Sequence, residues 1–140
     1  MTMTNTLPER PTERPSVSPQ LRAVLDAAPI AHLATLMPDG GPHSVPLWIG
    51  IHDDHVVFMT GPRSRKALNL HRDPRLAISL VDPDNSFAPI ILRGRVEAWL
   101  TGADAWPVVD AIATKYLGRP YGRDEERVVG LVRIEHGGAR

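Results

Sequence analysis

The sequence predicts a mostly β protein, an antiparallel barrel of six strands with two or three short helices. Three observations favour this fold class. From residue 30 onwards, apolar and polar residues alternate through several runs at the period of a strand. Turn signals rich in Gly, Pro and Asp separate these runs. The helical segments are few and do not alternate regularly with the strands, which argues against a doubly wound parallel sheet.

The length of 140 residues fits one domain. Residues 1–17 are rich in Pro, Thr, Ser and Glu, a composition that buries little apolar surface. We therefore divide the chain into a flexible N-terminal arm, residues 1–17, and a single domain, residues 18–140.

Composition excludes several classes of function. Sixteen basic residues balance sixteen acidic ones, so net charge gives no general attraction to nucleic acid or to an anionic membrane. The absence of cysteine excludes disulfides, thiolate metal sites and a Cys nucleophile. No apolar stretch approaches the roughly 18 residues of a spanning helix, and the N-terminus lacks the apolar core of a secretory signal. We expect a soluble, cytoplasmic protein.

Capping signals mark the helices. Ser18 followed by Pro19 has the pattern of an N-cap and a first helical residue, and Pro29 ends this helix. The helix presents an apolar face of Leu21, Val24, Leu25 and Ala28. The other two helices are predicted from the cap Ser64 to about Arg72 and from the cap Asp104 to Gly118.

Six runs are predicted as strands: residues 31–37, 43–52, 55–60, 75–82, 89–100 and 126–136. Pro46 lies inside the second run. Since a proline cannot donate to a ladder, we expect an edge strand, a bulge or a backbone segment that meets something other than a strand. In the fifth run Gly94 is a predicted bulge. Alternation along that run places on one face Ile91, Arg93, Arg95 and Glu97.

The most informative stretch is residues 61–66, GPRSRK, which follows a strand and opens a helix. Three cations, a hydroxyl and free backbone N–H groups come together there, as an anion site requires. The helix dipole disfavours cations at a helix start, so three of them need a reason. The residues alone leave two interpretations open, a phosphate or carboxylate site and a solvated basic turn.

Other chemistry has weaker support in the sequence. His52 and His55 flank the Asp53-Asp54 turn as metal ligands do, but no third ligand lies at a convincing spacing, and no metal site is predicted. No Ser-His-Asp order, nucleophile elbow or P-loop is visible, so no catalytic residue is assigned.

The ordered motifs resemble the pyridoxamine-phosphate-oxidase-like split β-barrel family over about residues 20–136. Within that family they are most similar to the group that uses the deazaflavin coenzyme F420. The matching pieces are Ser64-Arg65-Lys66, Asn69-Leu70, Arg72-Asp73-Pro74-Arg75, Val81-Asp82-Pro83-Asp84-Asn85, Arg93-Gly94-Arg95-Val96 and Lys115-Tyr116-Leu117-Gly118. The short loop at residues 119–125 departs from the family pattern, in a region that members often use to close the substrate side.

The resemblance implies a homodimer with two cofactor sites at the subunit interface. It places the cofactor phosphate against Arg65 and Lys66, with Ser64 nearby and Thr60 lining the same cleft. The ring system is expected along the second strand, at His43, Val45, Pro46, Leu47 and Trp48.

The resemblance further implies an F420-dependent oxidoreductase that transfers a hydride to a small organic substrate. The alternatives are an FMN-dependent oxidoreductase of the same family and a non-catalytic binder of flavin or haem. For haem, the candidate axial ligands are His32, His43 and Met59. Neither the substrate nor a proton donor is predicted.

Overall fold

The computed structural model describes residues 17–138. Its three helices are α1 (Pro19–Asp26), α2 (Arg65–Arg72) and α3 (Gly102–Leu117). Its seven strands are β1 (Ala31–Leu36), β2 (Pro42–Leu47), β3 (Gly50–His52), β4 (His55–Thr60), β5 (Arg75–Asp82), β6 (Asn85–Leu100) and β7 (Val128–Gly138).

The strands form one antiparallel sheet in the order β2-β1-β5-β6-β7-β4-β3. The predicted mostly antiparallel β fold is confirmed. The prediction of one strand over residues 43–52 is wrong, because Trp48 and Ile49 leave the ladder and divide this run into β2 and β3. The sheet therefore has seven strands where six were predicted. Pro46 lies in an edge strand, as its missing N–H predicts.

The two edges of the sheet, β2 and β3, are consecutive in the chain. Leu47 and Gly50 are three peptide units apart, so their Cα atoms lie within about 11 Å of each other. In a flat sheet of seven strands the edges would be about 29 Å apart, at about 4.8 Å per neighbouring pair. The sheet is therefore curled into a barrel. It stays split, because no ladder joins β2 to β3 within residues 17–138.

Two apolar clusters hold the barrel together. The larger fills the interior and includes Leu33, Phe58 and Leu92, with α1 contributing Leu21 and Leu25. The smaller lies between α3 and the outer face of strands β4 and β7. Because β4 is covered on both faces, its apolar residues are nearly continuous, as in other fully buried strands.

The bulge predicted at Gly94 is confirmed. The register between β6 and β7 shifts between Arg93 and Gly94. A Cβ atom on Gly94 would lie 2.0 Å from the carbonyl oxygen of Arg133, so no other residue fits without moving the backbone. The prediction of one shared face along this strand is confirmed too, since its four members are all exposed. The structure shows that this face points outward.

Some predicted boundaries are wrong. β6 begins at Asn85 rather than at residue 89, because Asp82 and Asn85 pair across a tight turn. The third helix begins at Gly102 rather than at Asp104. Gly102 has a φ of +56°, which turns the chain directly from β6 into α3.

Most of the predicted arm, residues 1–16, lies outside the described residues. Val17, the last residue of the predicted arm, is 4% exposed and belongs to the interior cluster. No helix within residues 17–138 is long and apolar enough to cross a membrane.

Candidate functional site

A cleft of about 770 Å³ opens where the barrel is split. One wall comes from the end of β2 and the two residues that leave the ladder after it. Another comes from the end of β4 and the start of α2, and a third from the segment before β7. The lining residues are Leu47, Trp48, Met59, Thr60, Gly61, Pro62, Arg63, Ser64, Lys66, Tyr121, Glu125, Glu126 and Arg127.

Ser64 is the N-cap of α2 and lines the cleft. Its Oγ accepts a hydrogen bond from the N–H of Ala67 at 3.2 Å and another from Oγ1 of Thr60 at 2.8 Å. Thr60 is 5% exposed, so the hydroxyl pair is held firmly at the base of the cleft. Because Ser64 accepts twice, its own O–H proton is free to donate to a bound anion.

Lys66 is a half-buried cation in this wall. Its ammonium has neither a hydrogen bond nor an ion pair with any residue from 17 to 138. Burial lowers its pKa below the ordinary lysine value, and the positive charge of Arg127 lowers it further. A desolvated, unpaired charge is unfavourable unless a ligand neutralises it.

Arg127 reaches the cleft because of the pairing between β4 and β7. Thr60 pairs with Val128, so the next residues, Gly61 and Arg127, leave the ladder side by side. A Cβ atom on Gly61 would lie 3.4 Å from Nη1 of Arg127, which shows how closely the guanidinium approaches the backbone. The register thus brings Arg127 to the same cleft as Lys66.

Two side chains hold the Arg127 guanidinium. Nε and Nη2 donate to the hydroxyl oxygen of Tyr121 at 3.2 and 2.9 Å. Nη2 also donates to Oε1 of Glu125 at 2.6 Å. The carbonyl of Glu126 accepts from Nη1 at 3.1 Å. Arg127 is therefore fixed in one orientation, with its side chain 18% exposed.

The loop that carries Tyr121 is tied to α3 through Asp110. The N–H of Tyr121 donates to Oδ1 of Asp110 at 3.2 Å. Arg123 donates to both oxygens of Asp110, at 3.0 and 2.8 Å, and lies 3.9 Å from the ring centroid of Trp106. These contacts make the short loop at residues 119–125 a fixed wall of the cleft.

The apolar end of the cleft is built on the break between β2 and β3. The ring of Trp48 stacks on that of Tyr116, with centroids 5.1 Å apart. The Tyr116 hydroxyl donates to the carbonyl of Pro29 and accepts from the N–H of Ile49 at 3.2 Å. Lys115 donates to the carbonyls of Ile49 and Leu25 at 2.6 and 2.8 Å. Adjacent residues of α3 thus satisfy the backbone that has left the ladder.

Five of the nine predicted site residues line the cleft: Leu47, Trp48, Thr60, Ser64 and Lys66. Arg65 does not, because successive helical side chains point about 100° apart and its guanidinium lies 3.5 Å from Oδ1 of Asn69. Arg127 and Arg63 line the cleft as further cations.

The other three predicted residues lie on β2. His43 and Val45 share the inner face of this strand with Leu47 and extend that face beyond the cleft, His43 about 14 Å from Leu47. Nδ1 of His43 is buried and has no hydrogen-bond partner among the described residues. Pro46 points to the outer face, where it pairs with His32.

Sequence reasoning missed Tyr121, Glu125 and Arg127. Nothing local distinguishes Arg127 from the other arginines of the chain. The signal that would have found it is the register between β4 and β7, which places Arg127 opposite Gly61 and next to the predicted anion site.

The model of one protein family, pyridoxamine 5'-phosphate oxidase, matches residues 17–137. An F420 reductase structure superposes with a TM-score of 0.72 and 26% identity, covering 87% of this chain and 98% of that one. A conserved hypothetical protein from Mycobacterium tuberculosis gives 0.69 and 25%, covering 84% and 81%.

A haem-binding protein from Mycobacterium smegmatis has a TM-score of 0.61 at 24% identity, covering 83% of this chain and 50% of that one, and shares the fold. No curated protein sequence matches this chain. The family match spans nearly all of the described residues, including every wall of the cleft. The chain belongs to the pyridoxamine 5'-phosphate oxidase family.

Proposed function

We propose that this protein is an F420-dependent oxidoreductase that transfers a hydride to a small organic substrate. The observation that carries the proposal is the half-buried ammonium of Lys66, which has no partner among residues 17–138 and lies with the capping hydroxyl of Ser64 in a cleft on the split of the barrel. The similarity to an F420 reductase supports this cofactor over others.

The residues present fit a phosphate-bearing redox cofactor. A volume of about 770 Å³ lies within the range of cofactor sites. Lys66, the Ser64 hydroxyl and the start of α2 suit a phosphate, because each supplies positive charge or an N–H or O–H donor. Leu47, Trp48 and Met59 suit a flat ring, because they give the same cleft an apolar end.

A bound deazaflavin supplies the hydride, and the chain supplies binding and orientation. Lys66 and Ser64 anchor the anionic end. The stacked ring of Trp48, fixed by Tyr116, gives the apolar end a firm surface and excludes water from it. The inner face of β2 continues this surface towards His43. Its buried Nδ1, which has no hydrogen-bond partner among the described residues, can form a hydrogen bond with the cofactor.

We further propose that the protein is a homodimer. Strands β1, β5 and β6 present a groove of about 250 Å³ on their outer face, lined by apolar residues that include Ile30, Val81 and Ile91. These side chains are 51%, 45% and 61% exposed, and Phe87 on the same hairpin is 93% exposed. Exposed apolar patches of this kind mark interfaces. His32, one of the candidate haem ligands, lies exposed in this groove.

The test is a titration of the purified protein with F420 and, separately, with FMN. Quenching of Trp48 emission and the absorbance of the bound cofactor report binding. A Trp48→Phe variant identifies the quenched residue, because Trp99 and Trp106 remain. We expect saturable binding of F420, tighter than that of FMN, at one cofactor per chain.

Each alternative has its own signature in the same experiment. Tighter binding of FMN than of F420 would assign the protein as an FMN-dependent oxidoreductase instead. A Soret band after addition of haem, with no binding of either redox coenzyme, would assign the protein as a non-catalytic haem binder instead of an enzyme. Light scattering is expected to give twice the mass of the chain, and a monomer would remove the shared site.

A further inference from the structure

Two partly buried cations of the cleft, Lys66 and Arg127, differ in their partners. Arg127 forms an ion pair with Glu125, at 2.6 Å between Nη2 and Oε1. Lys66 has no carboxylate partner among residues 17–138. Of these two charges, that of Arg127 is therefore already neutralised, and that of Lys66 is available to a ligand.

Glu125 can either keep its ion pair with Arg127 or be displaced from it by a ligand. Its side chain is 70% exposed, whereas that of Arg127 is 18% exposed and held in place by Tyr121. The exposed carboxylate has room to swing away, and the guanidinium does not. The pair thus works as a fixed cation with a removable counter-charge.

The charge of the bound phosphate determines whether Glu125 can stay paired with Arg127 or has to leave it. A phosphodiester carries one negative charge, which Lys66 alone balances. A phosphomonoester carries close to two at neutral pH, so it also draws on the charge of Arg127, because Arg63, the third cation lining the cleft, is exposed and screened by water. Such a ligand has to compete with Glu125 for Arg127 and meets the repulsion of its carboxylate.

We propose that Glu125 is the residue that selects a singly charged phosphodiester over a doubly charged phosphomonoester in this cleft. At the phosphate group itself, F420 carries a diester and FMN a monoester, so Glu125 favours the deazaflavin at this position. This inference rests on the proposed function for its cofactor, but its electrostatic part concerns any phosphate that enters the cleft.

The experiment compares Glu125→Gln with Glu126→Gln. Both residues line the cleft and both changes remove one negative charge, but the Glu126 contact with Arg127 is made through its backbone carbonyl. Dissociation constants are measured for FMN, F420 and inorganic phosphate at about 20 mM salt, where screening is weak.

Glu125→Gln is expected to lower the dissociation constants of FMN and inorganic phosphate by about three- to tenfold, and that of F420 by less. The effects are limited to this size because an exposed carboxylate is partly screened. Glu126→Gln is expected to change none of them by more than about twofold. In an Arg127→Gln background the effect of Glu125→Gln should vanish, and higher salt should reduce it.

The outcomes separate the two proposals. If neither coenzyme binds the wild-type protein but inorganic phosphate still distinguishes Glu125→Gln from Glu126→Gln, the cofactor assignment fails and the electrostatic part of the role of Glu125, its repulsion of phosphate charge, stands. If F420 binds but the two variants respond equally to every ligand, or bind no phosphate at all, the role of Glu125 is overturned and the cofactor assignment stands.

Discussion

Two half-buried lysines of this protein, Lys115 and Lys66, differ in whether their ammonium groups have hydrogen-bond partners. Lys115 on α3 donates to two backbone carbonyls, at 2.8 and 2.6 Å, next to the break between β2 and β3. Lys66 on α2 has no such partner among the described residues. Burial lowers the pKa of both ammonium groups, and Asp26 partly opposes this for Lys115 whereas Arg127 adds to it for Lys66.

The difference separates structure from function. A buried cation that satisfies its hydrogen bonds within the chain stabilises the fold, as Lys115 does at the break. A buried cation that lacks a partner costs folding free energy, and it persists where a ligand supplies the missing charge. The two lysines should therefore respond in opposite ways to the same substitution.

The largest expected effect is on binding, in Lys66→Met. Loss of a charge-assisted bond should weaken the cofactor by about 1.5–3 kcal/mol, or about 10- to 150-fold, in the same titration. The free energy of unfolding should rise slightly, by no more than about 0.5 kcal/mol, because no intramolecular bond is lost and an unfavourable charge beside Arg127 is removed. Unchanged affinity would show that Lys66 is not the anchor.

Lys115→Met should have the reverse profile. The carbonyls of Leu25 and Ile49 lose a charged donor, so denaturant unfolding should give a free energy lower by about 2 kcal/mol. Lys66→Met is the matched control, with the same chemical change at a similar depth. Equal stability of the two variants would remove the contrast between the lysines.

Tyr116→Phe tests the same break more gently. The ring stays stacked on Trp48, but the hydroxyl that bonds Ile49 and Pro29 is lost. We expect a loss of about 1 kcal/mol in the free energy of unfolding. Trp48 emission should stay close to that of the wild type, and a large change in it would mean that the hydroxyl, rather than the stack, positions the indole.

The smallest effect is on the pH dependence of binding. The lowered pKa of Lys66 means that this group loses its charge as pH rises, at a lower pH than an ordinary lysine does. Cofactor affinity should therefore fall several-fold on the alkaline side, and Lys66→Arg should abolish that fall because arginine stays charged. An identical alkaline limb in Lys66→Arg would assign it to another group.

Local chemistry made much of the fold predictable. Alternation predicted which residues of β6 share a face, and the capping pattern predicted the helix start at Ser64, which places Lys66 in the first turn of α2. The break at Trp48–Ile49 was not predictable, because the groups that satisfy it, Lys115 and Tyr116, come from a helix far along the chain. Arg127 was missed for the same reason, since its place depends on pairing between distant strands.

The ladder between β4 and β7 also bears on how the protein folds. It joins residues 56–60 to residues 128–132, a wider sequence separation than in any other strand pair of residues 17–138. Contacts between distant residues require closure of long loops and tend to form late. Because Gly61 and Arg127 meet at the end of this ladder, a folding intermediate that lacks β7 lacks one wall of the cleft in which we propose that the anion binds. Cofactor added during refolding should therefore accelerate no early phase and should stabilise only the finished barrel.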